Sequence, residues 1–244
     1  MCTVTYLPLS PEGFVLTSTR DEKSIRKPAL PPRQYEIHDK KVFFPKDPDA
    51  GGTWIAVSEG DYSLCLLNGG FQIHESKPPY RMSRGLLLLD FYECNDVKGF
   101  LDAYDFQGIE PFTLIIAAHS QPTLDELRWD GEQIHHRSMD PGIPGIWSSV
   151  TLYPDEVIHM REEWFHEWLL KEPEFNIAEA VIFHKKAGTG DTQNDILMNR
   201  NEVRTVSITS VFRNPSQTEI FYEDIITGRT YHQNISGERL LVNQ

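Results

Sequence analysis

The sequence is poor in cysteine, long apolar runs and positive charge, and each scarcity excludes a class of protein. Three cysteines in 244 residues provide neither a disulfide framework nor paired metal ligands. No segment approaches the roughly 18 consecutive apolar residues that a membrane-spanning helix requires. The formal net charge is -13, from 23 Lys and Arg against 36 Asp and Glu. Nucleic acids and anionic membrane surfaces are therefore unfavourable main partners.

Other absences narrow the setting. No basic segment followed by an apolar one opens the chain, so we expect no secretory signal and a reducing, cytoplasmic location. Neither an HExxH nor a paired CxxC motif occurs, and we expect no metal, no cofactor and no stable membrane insertion. Without a linker, an internal repeat or a low-complexity tract, residues 1–244 are predicted to form a single domain.

What the chain does contain is a succession of short strand patterns interrupted by helices. Strands separated by turn signals are predicted at 2–7 and 14–19, at 53–58 and 62–67, and at 124–129 and 132–137. Apolar segments at 85–93 and 154–171 predict helices, and 112–118 predicts a central strand. This order is typical of an α+β layered domain with antiparallel sheets.

The first 22 residues carry the most specific chemistry. Cys2 follows the initiator Met1, and the predicted hairpin returns the chain to Arg20-Asp21-Glu22. If Met1 is removed, Cys2 bears both a thiol and a free α-amine, whose pKa of about 7.7–8.0 allows it to take a proton near neutral pH. A nearby arginine favours the thiolate, and a carboxylate can hold the amine. The alternative interpretation, that Cys2 is a small buried apolar residue, is about equally supported by the residues alone.

Three local signatures together resemble one family. They are Met1-Cys2 opening a strand, Arg20-Asp21-Glu22, and Gly51-Gly-Thr-Trp-Ile-Ala56 followed by Leu66-Leu-Asn-Gly69. The combination is similar to the NRDE proteins, also called the transport and Golgi organisation 2 family. That family is placed in the N-terminal-nucleophile hydrolase superfamily, with distant similarity to bile salt hydrolases and penicillin V acylases. The resemblance implies a four-layer αββα sandwich of two antiparallel sheets flanked by helices.

The resemblance also implies roles for individual residues. Cys2 matches the acylase nucleophile, and Asp21 matches the aspartate that holds the new α-amine. Asn68 matches an asparagine near the oxyanion, where an amide is a suitable donor. Arg204 resembles a late active-site arginine, and Ser149 in Trp147-Ser-Ser-Val stands where relatives carry a second oxyanion asparagine.

The sequence departs from the pattern at several positions. Thr19 replaces the first asparagine of the family motif, and Ser149 offers a shorter side chain with one donor. Arg20 is adjacent to Asp21, whereas the acylase arginine precedes the aspartate by three residues. Neighbouring strand residues point to opposite faces, so Arg20 is predicted to face away from an Asp21 site and to form a structural ion pair.

Two functions follow as hypotheses. The first is an N-terminal-nucleophile amidohydrolase acting on a small acyl amide through Cys2. The second, which the resemblance implies, is a non-catalytic protein that binds and traffics haem, acyl-CoA or lipid on the same fold. In that case Arg20, Glu22 and the glycine-pair loop at Gly69 are the candidate ligand-binding residues. A purely structural protein gives no reason for the Arg-Asp-Glu cluster.

Overall fold

The computed structural model describes residues 3–9, 12–94 and 96–235 and contains two antiparallel sheets with four α-helices. Alternation of β-branched and aromatic residues produces most of the strands. The strands are β1 (Thr3–Leu9), β2 (Gly13–Lys23), β3 (Leu30–Ile37), β4 (Lys40–Lys46), β5 (Ile55–Ser58), β6 (Tyr62–Asn68), β7 (Phe112–Ala118), β8 (Leu124–Trp129), β9 (Ile134–Met139), β10 (Gly145–Ser148), β11 (Val203–Asn214), β12 (Gln217–Asp224) and β13 (Thr230–Asn234). The helices are α1 (Arg84–Asp90), α2 (Val97–Ala103), α3 (Asp155–Leu169) and α4 (Ile177–Lys186).

The two sheets differ in connectivity. The first has six strands in the order β10-β1-β2-β11-β12-β13, so the N-terminal hairpin pairs with the late strand β11. The second has seven strands that follow chain order from β3 to β9. A register shift between Thr205 and Ser207 interrupts the pairing of β11 with β2 beside Asp21. Such a bulge re-aims side chains locally.

Three apolar interfaces hold four layers together. Between the sheets, Phe14 and Leu16 of the first sheet share a buried cluster with Ile55, Cys65 and Ile115 of the second. Helices α1 and α2 cover the outer face of the second sheet through a separate buried cluster. Helices α3 and α4 cover the outer face of the first sheet in the same way. The predicted αββα sandwich is confirmed.

Most predicted elements are present, with differences that have local causes. No strand was predicted within residues 23–41, but this segment contains β3, an edge strand with a register shift where two prolines fall. Strand β10 was not predicted, because its four residues are too short to show a pattern. Asn95, a residue type that favours helix N-caps, lies outside the described residues, and the Asp96 side chain accepts from the Gly99 amide at 2.6 Å at the start of α2.

Helix α3 was predicted to bury an apolar stripe, and it also buries a charge. Val157 and Phe165 are buried as expected, while Arg161 on the same face is fully buried. In the described part of the chain, no helix is both long and apolar enough to cross a membrane.

Candidate active site

A cavity of about 570 Å³ lies at one end of the sandwich. Strands β2 and β6 end there, strands β5 and β11 begin there, and the segment before α1 closes one side. Its wall combines buried ion pairs, an aromatic surface and an asparagine amide. The lining residues used below are Arg20, Asp21, Glu22, Lys23, Arg26, Asp47, Trp54 and Asn68.

Asp21 is a buried carboxylate held by two hydroxyl groups. Tyr153, which precedes α3, donates from its phenol to Oδ2 of Asp21. Thr205 of β11 donates to Oδ1 at 2.5 Å, and the backbone amide of Met198 donates to the Thr205 hydroxyl at 2.9 Å. Burying a carboxylate requires such donors. The position of the Asp21 carboxylate is thus fixed from two distant parts of the chain.

The start of β1 lies in the same region. The Thr3 amide donates to Oγ1 of Thr19 at 2.9 Å, and the Thr3 hydroxyl accepts from Nη1 of Arg161 at 2.7 Å. Arg161 also donates to backbone carbonyls of residues 194 and 195, and its guanidinium lies 3.7 Å from the centre of the Tyr153 ring. Cys2, the predicted nucleophile, lies outside the described residues.

Arg20 points to the opposite side of β2 from the Asp21 partners, as strand alternation predicts. Its Nη2 lies 2.7 Å from Oδ2 of Asp47 and 3.3 Å from Oε2 of Glu22, and its guanidinium lies 4.6 Å from the Trp54 ring centre. Both Arg20 and Asp47 are buried. Arg26 approaches the same Asp47 oxygen at 3.0 Å. Arg20 is therefore built into an ion-pair network, although it also lines the cavity.

Asn68 and Ser149 are adjacent, but they present different groups. Asn68 lines the cavity, and its buried Oδ1 has no hydrogen-bond partner among the described residues. Ser149 is fully buried and donates to the Asn68 backbone carbonyl at 2.8 Å. Its hydroxyl thus supports the Asn68 backbone instead of lining the cavity. Asn68, the predicted oxyanion donor, thus lines the cavity, and Ser149 holds the strand end behind it.

Gly69 has a conformational role in this arrangement. Its φ is +87°, and a Cβ there would lie 2.3 Å from Cγ2 of Val150. Only glycine allows the loop after Ser149 to pack this closely. Gly69 is not among the residues that line the cavity. The loop therefore positions Asn68 without itself forming the wall.

Arg204 lies in a neighbouring cavity of about 170 Å³ instead of the first one. In the strand register, Arg204 of β11 lies opposite Glu22 of β2. The next residue, Thr205, donates a hydrogen bond to Asp21. Consecutive strand residues face opposite ways, which separates Arg204 from the Asp21 carboxylate. Glu22 lines both cavities.

Sequence reasoning missed Tyr153, Thr205, Arg161 and Asp47. Each acts through the fold from a distant position, and none belongs to a recognisable motif. The one available signal was Arg161, a charge at an apolar-stripe position of a predicted helix. Within the described ranges, no group of three or more His, Cys, Asp or Glu side chains is arranged to hold a metal ion.

Comparison with known proteins places this geometry in context. Residues 1–217 match the model of the family described as Transport and Golgi organisation 2. No curated protein sequence shows significant similarity to the chain.

Solved structures share the fold at low sequence identity. A Caenorhabditis elegans N-acylethanolamine-hydrolyzing acid amidase ortholog has a TM-score of 0.57 at 12% identity, covering 86% of this chain and 92% of that one. A cysteine-to-alanine mutant of the conjugated bile acid hydrolase of Clostridium perfringens has a TM-score of 0.55 at 10% identity, covering 97% and 94%. These similarities establish an N-terminal-nucleophile hydrolase-like fold.

Proposed function

The chain belongs to the Transport and Golgi organisation 2 family, and from this premise we propose that it is an amidohydrolase acting on a small acyl amide through Cys2. The observation that carries the proposal is the buried Asp21 carboxylate, fixed by Tyr153 and Thr205 beside the start of β1. Thr3, the first described residue of β1, directly follows Cys2 in the sequence. In the proposed function, the Cys2 α-amine formed by removal of Met1 is held by this carboxylate.

The proposed reaction has two steps. The Cys2 α-amine accepts the thiol proton, Sγ attacks the amide carbonyl carbon, and the Asn68 amide group donates to the developing oxyanion. The C–N bond then breaks as the ammonium returns the proton to the leaving amine, which yields a thioester. Water, deprotonated by the same amine, attacks the thioester and releases a carboxylic acid and the free thiol. Asp21 holds the amine throughout.

The site suits a neutral, reducing compartment such as the cytoplasm. An α-amine with a pKa near 8 is protonated, and so lost as a base, when the pH falls well below neutral, and a nucleophilic thiol must remain reduced. The similar structures are described as hydrolases of N-acylethanolamines and conjugated bile acids. Amides of these two kinds are therefore the first substrates to assay.

The other cysteines make alkylation a clean test of Cys2. Full burial raises the pKa of Cys65 to about 12. Burial, and next the Glu93 and Asp96 carboxylates, raise the pKa of Cys94. Both groups are almost entirely protonated at pH 7, and the thiolate is the reactive form. We expect intact mass to show loss of Met1 and iodoacetamide to modify Cys2 well before Cys65 and Cys94.

Turnover tests the mechanism itself. Cys2→Ala is expected to reduce amide hydrolysis at least about a thousandfold, and Asp21→Asn about a hundredfold, because the first removes the nucleophile and the second releases the base. Cys94→Ser is the matched control and retains activity. Hydrolysis that survives Cys2→Ala, or a native chain that keeps Met1, rules out this mechanism.

A second candidate function is non-catalytic binding of haem, acyl-CoA or lipid. The specific observation in its favour is Ser149, whose hydroxyl is committed to the Asn68 carbonyl and is not presented as a second oxyanion donor. A binder would show saturable haem or acyl-CoA binding at micromolar concentration, unchanged by Cys2→Ala and without amide turnover. Absorbance and calorimetric titrations without saturation would exclude it.

A further inference from the structure

A second cavity of about 170 Å³ adjoins the first and has a different chemical character. The two share Arg20, Glu22, Lys23 and Arg26. The remaining wall comes from the connection between β2 and β3, the start of β11 and the turn between β12 and β13. Its volume suits a small charged group, since it is less than a third of the volume of the first cavity.

Positive charge is concentrated around this cavity. Five cationic side chains line it, together with the carboxylates of Glu22 and Asp224. Three of the five form ion pairs, Arg20 and Arg26 with Glu22 and Asp47, and Lys27 with Asp49. The chain as a whole carries a net charge of -13, so the local excess of positive charge has the opposite sign to the net charge of the protein. An excess of positive charge in a concave site attracts anionic ligands. The five cationic residues are Arg20, Lys23, Arg26, Lys27 and Arg204.

Among the described residues, Arg204 has no charge partner of its own. Its cross-strand neighbour Glu22 instead contacts Arg20 at 3.3 Å and Arg26 at 3.6 Å, and accepts from the Lys23 amide at 2.9 Å. Neither Lys23 nor Arg204 forms an ion pair within the described part of the chain. The buried Nε of Arg204 also finds no acceptor among the described residues. A buried donor without an acceptor is unfavourable, and a bound anion would satisfy it.

We propose that this second cavity binds an anionic group of the ligand, such as a carboxylate, sulfonate or phosphate, with Arg204 as its main contact. Guanidinium groups match the paired oxygens of such anions. The same four residues line both cavities, so the two lie side by side, and in this proposal the uncharged part of a ligand anchored here extends towards the first cavity. The assignment of this anion to an amide substrate rests on the proposed function; the binding site itself does not.

The test compares two amides that share the same acyl chain. An N-acylglycine ends in a carboxylate, whereas the matching N-acylethanolamine is neutral. Binding is measured by calorimetry on the Cys2→Ala chain, so that neither amide is consumed. The N-acylglycine is expected to bind about tenfold more tightly, since a charge-assisted hydrogen bond accounts for a difference of this order. The preference should shrink as salt is added.

Two arginine variants locate the effect. Arg204→Gln should reduce the preference to within about threefold, whereas Arg137→Gln, on the exposed edge strand β9, should leave it unchanged. Equal binding of the two amides, or a preference that survives Arg204→Gln, overturns the proposal. Failure of both amides to bind overturns the substrate assignment as well.

Two further measurements are needed. The first distinguishes a free anion from the anionic group of a ligand, and the second distinguishes the anion subsite from the hydrolase mechanism. Saturable binding of inorganic phosphate that Arg204→Gln weakens, without binding of either amide, would identify a site for free anions and refute the ligand-anchoring role. Hydrolysis by the native chain is assayed in parallel. Selective binding of the N-acylglycine without turnover would support the anion subsite and contradict the hydrolase mechanism.

Discussion

At the residue scale, Asp21 depends on partners that lie far away in sequence. Tyr153 is 132 residues from it and Thr205 is 184 residues away. The sequence pointed to Asp21 because the hairpin places it near Cys2, a short-range relation. It could not point to Tyr153 or Thr205, because their approach depends on how α3 and β11 pack against β2.

The Tyr153 phenol provides a first prediction. Tyr153→Phe removes a donor to a buried carboxylate but keeps the ring under Arg161, so unfolding free energy should fall by about 1.5–3 kcal/mol. The rate of Cys2 alkylation should fall too, because Asp21 loses its fixed position. Urea unfolding and timed alkylation measure the two effects.

Tyr92→Phe is the matched control. Tyr92 is also buried, and its phenol donates to the Tyr62 carbonyl at 3.1 Å in the cluster beneath α1. This variant should lose about 1 kcal/mol of stability and alkylate at the native rate. Equal rates of Cys2 alkylation in the two variants would show that the Tyr153 phenol does not influence the reactivity of Cys2.

At the element scale, alternation and turn signals were sufficient for strands with a full pattern, such as β7 and β8. They were insufficient for β10, whose four residues are strand only because β1 offers an edge to pair with. They also missed β3, where prolines are tolerated because the strand lies at the edge of its sheet. The sequence pattern therefore predicts strands with a full alternation of their own, but not strands that form only because a neighbouring strand pairs with them.

The loop after β6 provides the second prediction. Gly69→Ala places a Cβ 2.3 Å from Val150 and also requires a left-handed residue, so stability should fall by about 2–3 kcal/mol. The displaced loop should release the Ser149 bond to Asn68 and lower amide turnover. Urea unfolding and the hydrolysis assay detect these losses.

Substitutions at two other glycines distinguish the steric from the conformational cause of the stability loss in Gly69→Ala. Gly228 has a φ of +70° with open space around it, so Gly228→Ala reports the conformational term of about 1 kcal/mol alone. Gly60 has neither a close neighbour nor a positive φ, and Gly60→Ala should change stability by less than about 0.5 kcal/mol. If Gly69→Ala resembles Gly228→Ala in both stability and activity, the packing explanation fails.

At the scale of the whole molecule, the sequence was sufficient to predict the layered architecture. It was not sufficient to predict which polar side chains are buried inside it. The order of strands and helices, with the N-terminal signatures, indicated two sheets between helical layers. The positions of the buried histidines depend on which side of each sheet a helix or a second sheet covers. His119 accordingly lies between the sheets, and His184 lies on the face of α4 that packs against the first sheet.

These two histidines make the fold sensitive to acid. Burial, and next the Arg213 guanidinium, lower the pKa of His119 from 6.5 to about 3. Burial, and next Arg161, do the same for His184. Both stay neutral in the folded chain while the unfolded chain binds protons below pH 6.5. Their stabilising contribution is therefore complete above pH 6.5 and is lost as pH falls towards 3.

The loss is measurable well before the fold fails. Between pH 7 and pH 5 each histidine should remove roughly 2 kcal/mol from the free energy of unfolding. In His184→Gln, the amide can still bond to the Thr5 hydroxyl that contacts Nε2 at 2.9 Å in the native chain. Because glutamine does not titrate, this variant should lose roughly 2 kcal/mol less over the same interval.

Urea unfolding at pH 7 and pH 5, with His159→Gln as control, tests whether His184 contributes to the loss of stability in acid. His159 is exposed on α3, so its replacement controls for the removal of a histidine from the surface instead of the interior. A His184→Gln chain with the native pH dependence would show that this histidine does not limit acid stability. The expected result would tie the molecule to near-neutral conditions, which are also those in which a Cys2 α-amine can act as a base.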